Sequence, residues 1–273
     1  MRAPRPEMTM TPPILLDIRD HVATLTLNRP EQANVLDDAT GAAFVEAVGE
    51  VAAAQQRGTV RAVLLTAQGP HFCAGGDIRG FAAAADMAAL LDQGIPPLHA
   101  AIHTLSHLPA PVVSAVQGSL GGGGIGVALC ADIVLAARSM KLRGGYSAIG
   151  LSPDVGVSWA LTRLVGPMRA KHILFTNQPL DAAQCLAAGL VAELHADDAL
   201  LPAAQALVRA LAQGASGSLA RIKTLVDQAA HHTLHQQLAM EHLGMVASGA
   251  SADAREGVRA FLEKRAPHFV PES

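Results

Sequence analysis

Two short runs of glycine hold the residues best able to do chemistry. Ala74-Gly-Gly76 lies within His71-Phe-Cys-Ala-Gly-Gly-Asp-Ile-Arg79, and Gly121 to Gly124 lie within Gly118-Ser-Leu-Gly-Gly-Gly-Gly-Ile-Gly126. A glycine run lets bare backbone N–H groups approach a ligand, and a helix behind it adds the positive end of its dipole. Two convergent N–H groups form an oxyanion hole, where one donor is worth about a hundred- to a thousand-fold in rate. The same glycines equally serve tight turns and close packing. Spacing alone leaves the two readings level.

Two other chemistries are read out of the pattern. Gly121, Gly123 and Gly126 satisfy G-x-G-x-x-G, but a dinucleotide site wants an acidic residue about 20 positions further on. Between Asp132 and Asp154 there is no acid, only Arg138, Lys141, Arg143 and Tyr146 among the larger polar residues. Gly145-Tyr-Ser-Ala-Ile-Gly150 misses the G-x-S-x-G serine nucleophile by one residue. Neither nicotinamide nor serine-hydrolase chemistry is expected.

The elements that must position the loops follow from periodicity. Ile14 to Arg19 and Val22 to Leu27 read as a hairpin, and Ala62 to Thr66, Pro111 to Val116 and Asp132 to Ala137 as buried strands. Asp37 and Asp38 open a helix to about Gln56 with Phe44, Val48 and Val51 on one face. A helical, alanine-rich region runs to about Leu108, and Ile125 to Ala131 is a buried helix. Strand–helix alternation indicates an α/β layered fold. Short helices are expected at Val155–Val165 and Met168–Leu174, then one stopped by Gly189. Four helical segments follow between Asp197 and Arg265, broken near Gly214–Gly217, at Thr233 and at Gly249. The composition shift near residue 200 divides the chain into a core at 13–200 and a helical region at 201–273. Residues 1–12 read as disordered.

Composition narrows the classes of function. The chain has 273 residues, 50% hydrophobic and 16% charged, with a formal charge of −3. Four lysines (141, 171, 223 and 264) are too few for a phosphate-tracking surface, so no nucleic-acid partner is expected. The three cysteines (73, 130 and 185) have no metal-ligand spacing and read as reduced thiols of a cytoplasmic protein. His231, His232 and His235 match no metal geometry either, and no metal is expected. The start is not a signal peptide, and the longest apolar windows are broken by Asp86 and Asp132, so no membrane association is expected.

Several of these segments together resemble the crotonase (enoyl-CoA hydratase/isomerase) superfamily. They are His71 to Arg79, Ala115 to Gly124, Cys130-Ala-Asp-Ile-Val134, Ile149-Gly-Leu-Ser-Pro-Asp-Val-Gly156, Leu180 to Val191 and Phe261-Leu-Glu-Lys-Arg265, in order over roughly residues 13–269. The resemblance implies a spiral of ββα units, a helical C-terminal trimerisation region, and a homotrimer or dimer of trimers. It implies an acyl-CoA substrate, with coenzyme A entering as the thioester and no separate cofactor. The oxyanion donors would be the N–H groups of Gly76 and Gly123. Ala74 and Arg79 would face coenzyme A, and Phe261 and Lys264 would reach it from a neighbouring subunit.

The family varies its acid/base residues. The hydratase glutamates would fall at residue 126, three after Gly123, and at residue 146, seven before Pro153; this chain has Gly126 and Tyr146 there. Hydration needs one group for water and another for the α-proton, so it is disfavoured. Asp154, after Pro153, resembles the active-site aspartate of dienoyl-CoA isomerases, ring-opening epoxyphenylacetyl-CoA-type isomerases and aryl-CoA dehalogenases. One carboxylate over an enolate suffices to move a proton from Cα to Cγ, with Tyr146 and Gly126 in the acyl pocket. Ser152-Pro-Asp154 also fits a helix start, with Ser152 as N-cap and Pro153 at N1. Double-bond isomerisation is the expected activity; an atypical hydratase and a non-catalytic acyl-CoA binder are the alternatives.

Overall fold

The structure is a computed structural model and describes residues 11–269; the expectation for 1–12 lies, but for its last two positions, outside them. In chain order the elements are β1 (Ile14–Arg19), β2 (Val22–Leu27), α1 (Asp38–Gln56), β3 (Ala62–Ala67), α2 (Ile78–Ala83), α3 (Met87–Ser106), β4 (Val112–Val116), β5 (Ser119–Gly121), α4 (Gly123–Leu129) and β6 (Ile133–Ala137). There follow β7 (Lys141–Arg143), α5 (Val157–Thr176), β8 (Leu180–Asp181), α6 (Ala182–Ala187), β9 (Glu193–His195), α7 (Asp197–Ala212), α8 (Ser216–Ala229), α9 (Leu234–Gly249) and α10 (Ala252–Leu262).

Asp20 and His21 both take left-handed φ, the two-residue turn whose twist suits a hairpin, so β1 and β2 pair antiparallel with Ile14 opposite Leu27. Every later pairing in this sheet is parallel, in the order β1-β2-β3-β4-β6-β9. Strands buried on both faces must be apolar throughout. Accordingly Val63, Leu64, Val112 and Val113 are all fully buried. A second sheet, β5-β7-β8, is extended by single bridges between Cys73 and Leu120 and between Leu36 and Gly76. Three strands of the large sheet are thus each followed by a short stretch beside the small one and then a helix: β3, Cys73–Gly76, α2; β4, β5, α4; β6, β7, α5. These are the expected ββα units.

The helices cover the sheet on both faces. Asp37 accepts the Thr40 N–H at 2.8 Å and starts α1, which buries Phe44, Val48 and Val51. On the opposite face α7 packs Leu200, Ala204, Val208 and Ala212 against Val22, Leu64, Val113 and Leu135. The boundary expected at residue 200 therefore falls inside a helix whose apolar stripe belongs to the core. Four helices do occupy 197–262; α9 starts at the capping box of Thr233 with Gln236. Neither α8 nor α9 buries a residue within the chain. The link from α8 to the sheet is Lys223, whose Nζ lies 2.9 Å from Asp132. Among the described residues no helix is long and apolar enough to cross a membrane.

One bend decides how β4 enters the small sheet. Gly118 has φ +56°, and a Cβ there would collide with the Pro70 carbonyl oxygen. Gly118→Ala is expected to cost about 2–4 kcal/mol, from left-handed strain and overpacking together. Gly49→Ala, in the open middle of α1 with nothing within 4 Å of its Cβ position, should instead gain about 0.5–1 kcal/mol. Denaturant unfolding measures both; equal midpoints for the two variants would contradict this assignment.

Candidate active site

The two glycine loops are held together by a short ladder. Phe72 N–H donates to the Gln117 carbonyl at 2.8 Å, Cys73 N–H to Ser119 at 3.2 Å, and Gly121 N–H back to Cys73 at 3.0 Å. The backbones then close to a separation that no side chain could share. A Cβ on Gly121 would lie 2.8 Å from the Ala74 carbonyl oxygen, and one on Gly75 would lie 2.9 Å from that of Gly121. Packing therefore accounts for these two glycines, and one of the two readings of the sequence applies to them.

A third segment braces the pair. Asn34, 1% exposed, accepts the Arg29 N–H at 2.7 Å and donates to the Gln68 and His71 carbonyls at 3.0 and 2.8 Å. Ala74 N–H donates to Ala33 and Leu36 N–H to Gly75, at 3.0 and 2.8 Å. Nothing in the local sequence marks Asn34, although a buried amide with three partners is the fastening of the loop.

Among the described residues the N–H groups of Gly76 and Gly123 donate to no backbone or side-chain acceptor, and the same holds for Gly75 and Gly124 beside them. Gly123 is buried as the first residue of α4, where helix geometry leaves the N–H without an intrahelical partner. Buried N–H groups are almost always paired, so an orphan asks for an acceptor from a ligand. The surroundings of Gly123 are Val155, Leu36 and Asp154: its Cβ position lies 3.1, 3.3 and 3.6 Å from Val155 Cγ2, Leu36 Cδ1 and Asp154 Oδ1. The ring of Phe81, from α2, lies 2.8 Å from the Cβ position of Gly76. Leu36 and Phe81 were not legible as site residues.

Asp154 does not begin a helix. Ser152, Pro153 and Asp154 form a loop, and Gly156 is the N-cap of α5. The Asp154 carbonyl accepts the Val157 N–H at 2.9 Å across a turn in which Val155 has φ +49° and Gly156 φ +77°. The half-buried carboxylate accepts the Tyr146 hydroxyl on Oδ1 at 2.6 Å. Burial first, and then the adjacent Asp154 charge, hold the Tyr146 phenol well above the usual tyrosine range, so it stays a donor. Gly126 packs against the Val155 carbonyl, and a Cβ there would collide with that oxygen. The space for a side chain at residue 126 is filled by this turn.

The remaining candidates stand apart from this cluster. Ala74, before α2, and Arg79, in its first turn, are exposed, and Asp77 Oδ1 accepts the Arg79 N–H at 3.0 Å. Phe261, 83% exposed, and Lys264 stand at the end of α10. His231 pairs with Arg163 and His232 with Gln237. All three cysteines are free, and burial pushes the thiols of Cys73 and Cys185 up to about 12.

Comparison with known proteins bears on the same elements. The sequence model of the enoyl-CoA hydratase/isomerase family matches residues 17–272. The chain belongs to the enoyl-CoA hydratase/isomerase family. It is 38% identical to the 1,2-epoxyphenylacetyl-CoA isomerase of Escherichia coli K12, over 94% of this chain and 98% of that protein. It is 36% identical to a protein of Rhodobacter capsulatus named probable enoyl-CoA hydratase, over 94% and 97%. A crystal structure of an enoyl-CoA hydratase from Polaromonas sp. JS666 superposes with a TM-score of 0.85 at 34% identity, covering 93% of this chain and 98% of that one. The crotonase fold and membership among the enzymes of this family are thereby established.

Tyr146 is the protein's single tyrosine, so tyrosinate absorbance near 295 nm reports on it alone. In the folded family member no tyrosinate should appear at pH 10, the ordinary midpoint, and the signal should rise only above it. The unfolded chain releases this proton first, so stability is fully present below about pH 10 and falls as pH rises further. Asp154→Asn removes the adjacent charge and should bring the midpoint down. Native titration at the ordinary value would contradict the buried Tyr146–Asp154 contact.

Proposed function

We propose that this enzyme shifts the double bond of an enoyl-CoA through a thioester enolate, with Asp154 as the proton carrier. The observation that carries the reading is the buried, unpaired Gly123 N–H beside the Asp154 carboxylate. A thioester oxygen supplies the acceptor that the N–H groups of Gly76 and Gly123 lack. As the α-proton leaves, negative charge gathers on that oxygen and both donors strengthen. Oδ1 of Asp154 is engaged by Tyr146, which leaves Oδ2 to take the proton from Cα and return it at Cγ. The C=C bond moves from between Cβ and Cγ to between Cα and Cβ, and no proton is gained or lost overall.

Two features favour isomerisation over hydration. Gly126 has no room for a glutamate, and residue 146 is a tyrosine already committed to Asp154. The Escherichia coli relative, whose name is that of an isomerase, points the same way. In this reading Ala74 and Arg79 meet coenzyme A at the loop exit, and Phe261 and Lys264 meet it from a neighbouring copy. The apolar surface of α9 and α10, with Met245 74% and Phe261 83% exposed, supports a homotrimeric assembly.

Turnover of a 3-enoyl-CoA to the 2-enoyl-CoA tests the proposal directly. Asp154→Asn should lower kcat by about 10²–10⁴-fold, the usual worth of a positioned acid/base group, with KM little changed. Isomerisation that survives this substitution undiminished would remove Asp154 from the mechanism.

A further inference from the structure

Asp154 is followed by a residue in an unusual conformation, and the structure shows what holds it. Val155 has φ +49°, which a β-branched residue adopts only when its surroundings impose it. Its side chain is buried against Gly123 and its carbonyl lies against Gly126. Its N–H, the atom next to Asp154 in the chain, donates to His99 Nε2 at 2.9 Å. An imidazole that accepts through Nε2 carries its proton on Nδ1. His99 is an exposed residue of α3, downstream of Pro96 and Pro97, and Ile102 one turn on lies 3.9 Å from the Cβ position of Gly156. Helix α3 thus reaches the Asp154 turn at two points, with one polar contact.

We infer that His99 is a positioning residue: by accepting the Val155 N–H it holds the left-handed turn that aims the Asp154 carboxylate beside Gly123. This inference rests on the reading of Asp154 as proton carrier. The chemistry asks only for an acceptor at the place of Nε2. The imidazole does not itself exchange protons with substrate, since the lone pair that could do so is occupied. With the acceptor gone, Val155 relaxes toward negative φ, and the carboxylate moves with the peptide plane it shares. A shift of about 1 Å at a reacting group costs on the order of 10²-fold in rate.

The test compares His99→Gln, whose Oε1 supplies an acceptor, with His99→Arg, which supplies none on the same exposed helical position. For conversion of a 3-enoyl-CoA, His99→Arg should lower kcat by about ten- to a hundred-fold with KM within about two-fold, and His99→Gln should stay within about three-fold of the parent. Equal kcat values for the two variants overturn the inference. Should the arginine variant not fold, His99→Gln decides alone: a glutamine variant that folds with kcat reduced ten-fold or more overturns it. The Asp154→Asn/His99→Arg double variant should be no slower than Asp154→Asn, because both act through one group. Full activity in Asp154→Asn sinks the catalytic reading itself. Loss of activity in Asp154→Asn beside a fully active His99→Arg sinks only the role of His99.

Discussion

The backbone-to-backbone approach of two loops is the constraint on which the rest of this structure depends. Residues 73–76 and 119–122 come so close that Gly75 faces the Gly121 carbonyl and Gly121 faces that of Ala74, with no side chain between. A contact of this kind cannot be adjusted by rotamers, so its neighbours must fit around it. The ladder from Phe72 to Gly121 sets its register, and buried Asn34 fastens a third segment across it. Both loops follow neighbouring parallel strands, β3 and β4, of one sheet, so the sheet fixes the spacing of their tips. Rigid backbone is what an oxyanion site requires, since donors that must reorganise lose most of their advantage.

The Asp154 turn is fitted against that platform from the other side. Its Val155 carbonyl fills the only space a side chain at residue 126 could use, and its Val155 side chain covers Gly123. A residue larger than glycine at 126 and a left-handed Val155 are mutually exclusive with this backbone. In the proposed reading, a carboxylate on the turn before α5 therefore excludes one on α4 at residue 126. Tyr146 completes the arrangement: a buried phenol that keeps its proton is a fixed donor, and it orients one carboxylate oxygen while leaving the other free.

Much of this was legible in the sequence, and the reasons for the remainder are physical. Unbroken apolar runs such as Ala62 to Thr66 show burial on both faces, and Asp37 and Thr233 mark helix starts through their own side chains. The glycine loops stand out by type and spacing, and the likeness to crotonases sets them in order and points to Asp154. The Ser152-Pro-Asp154 helix start was a plausible local pattern that lost to tertiary packing, which turns Val155 left-handed and delays the helix to Val157. Asn34, His99 and Leu36 lie in segments remote in sequence from the residues they serve, Phe81 lies one short helix on from Gly76, and no periodicity marks any of them. The helical segment opening at Asp197 is legible, but which face of the sheet α7 covers depends on chain topology and not on local pattern.

The central claim is that one carbonyl oxygen is gripped by two backbone donors, and the carbonyl itself can report on it. Isotope-edited infrared difference spectroscopy, with ¹³C at the thioester carbonyl of a bound, non-reacting acyl-CoA, measures the strength of that grip. A carbonyl band moved to lower frequency than in water, and moved back when Gly75→Ala, whose Cβ would lie 2.9 Å from the Gly121 carbonyl oxygen, displaces the backbone before Gly76, is the expected result. A bound thioester whose band stays at its solution frequency would contradict the oxyanion site.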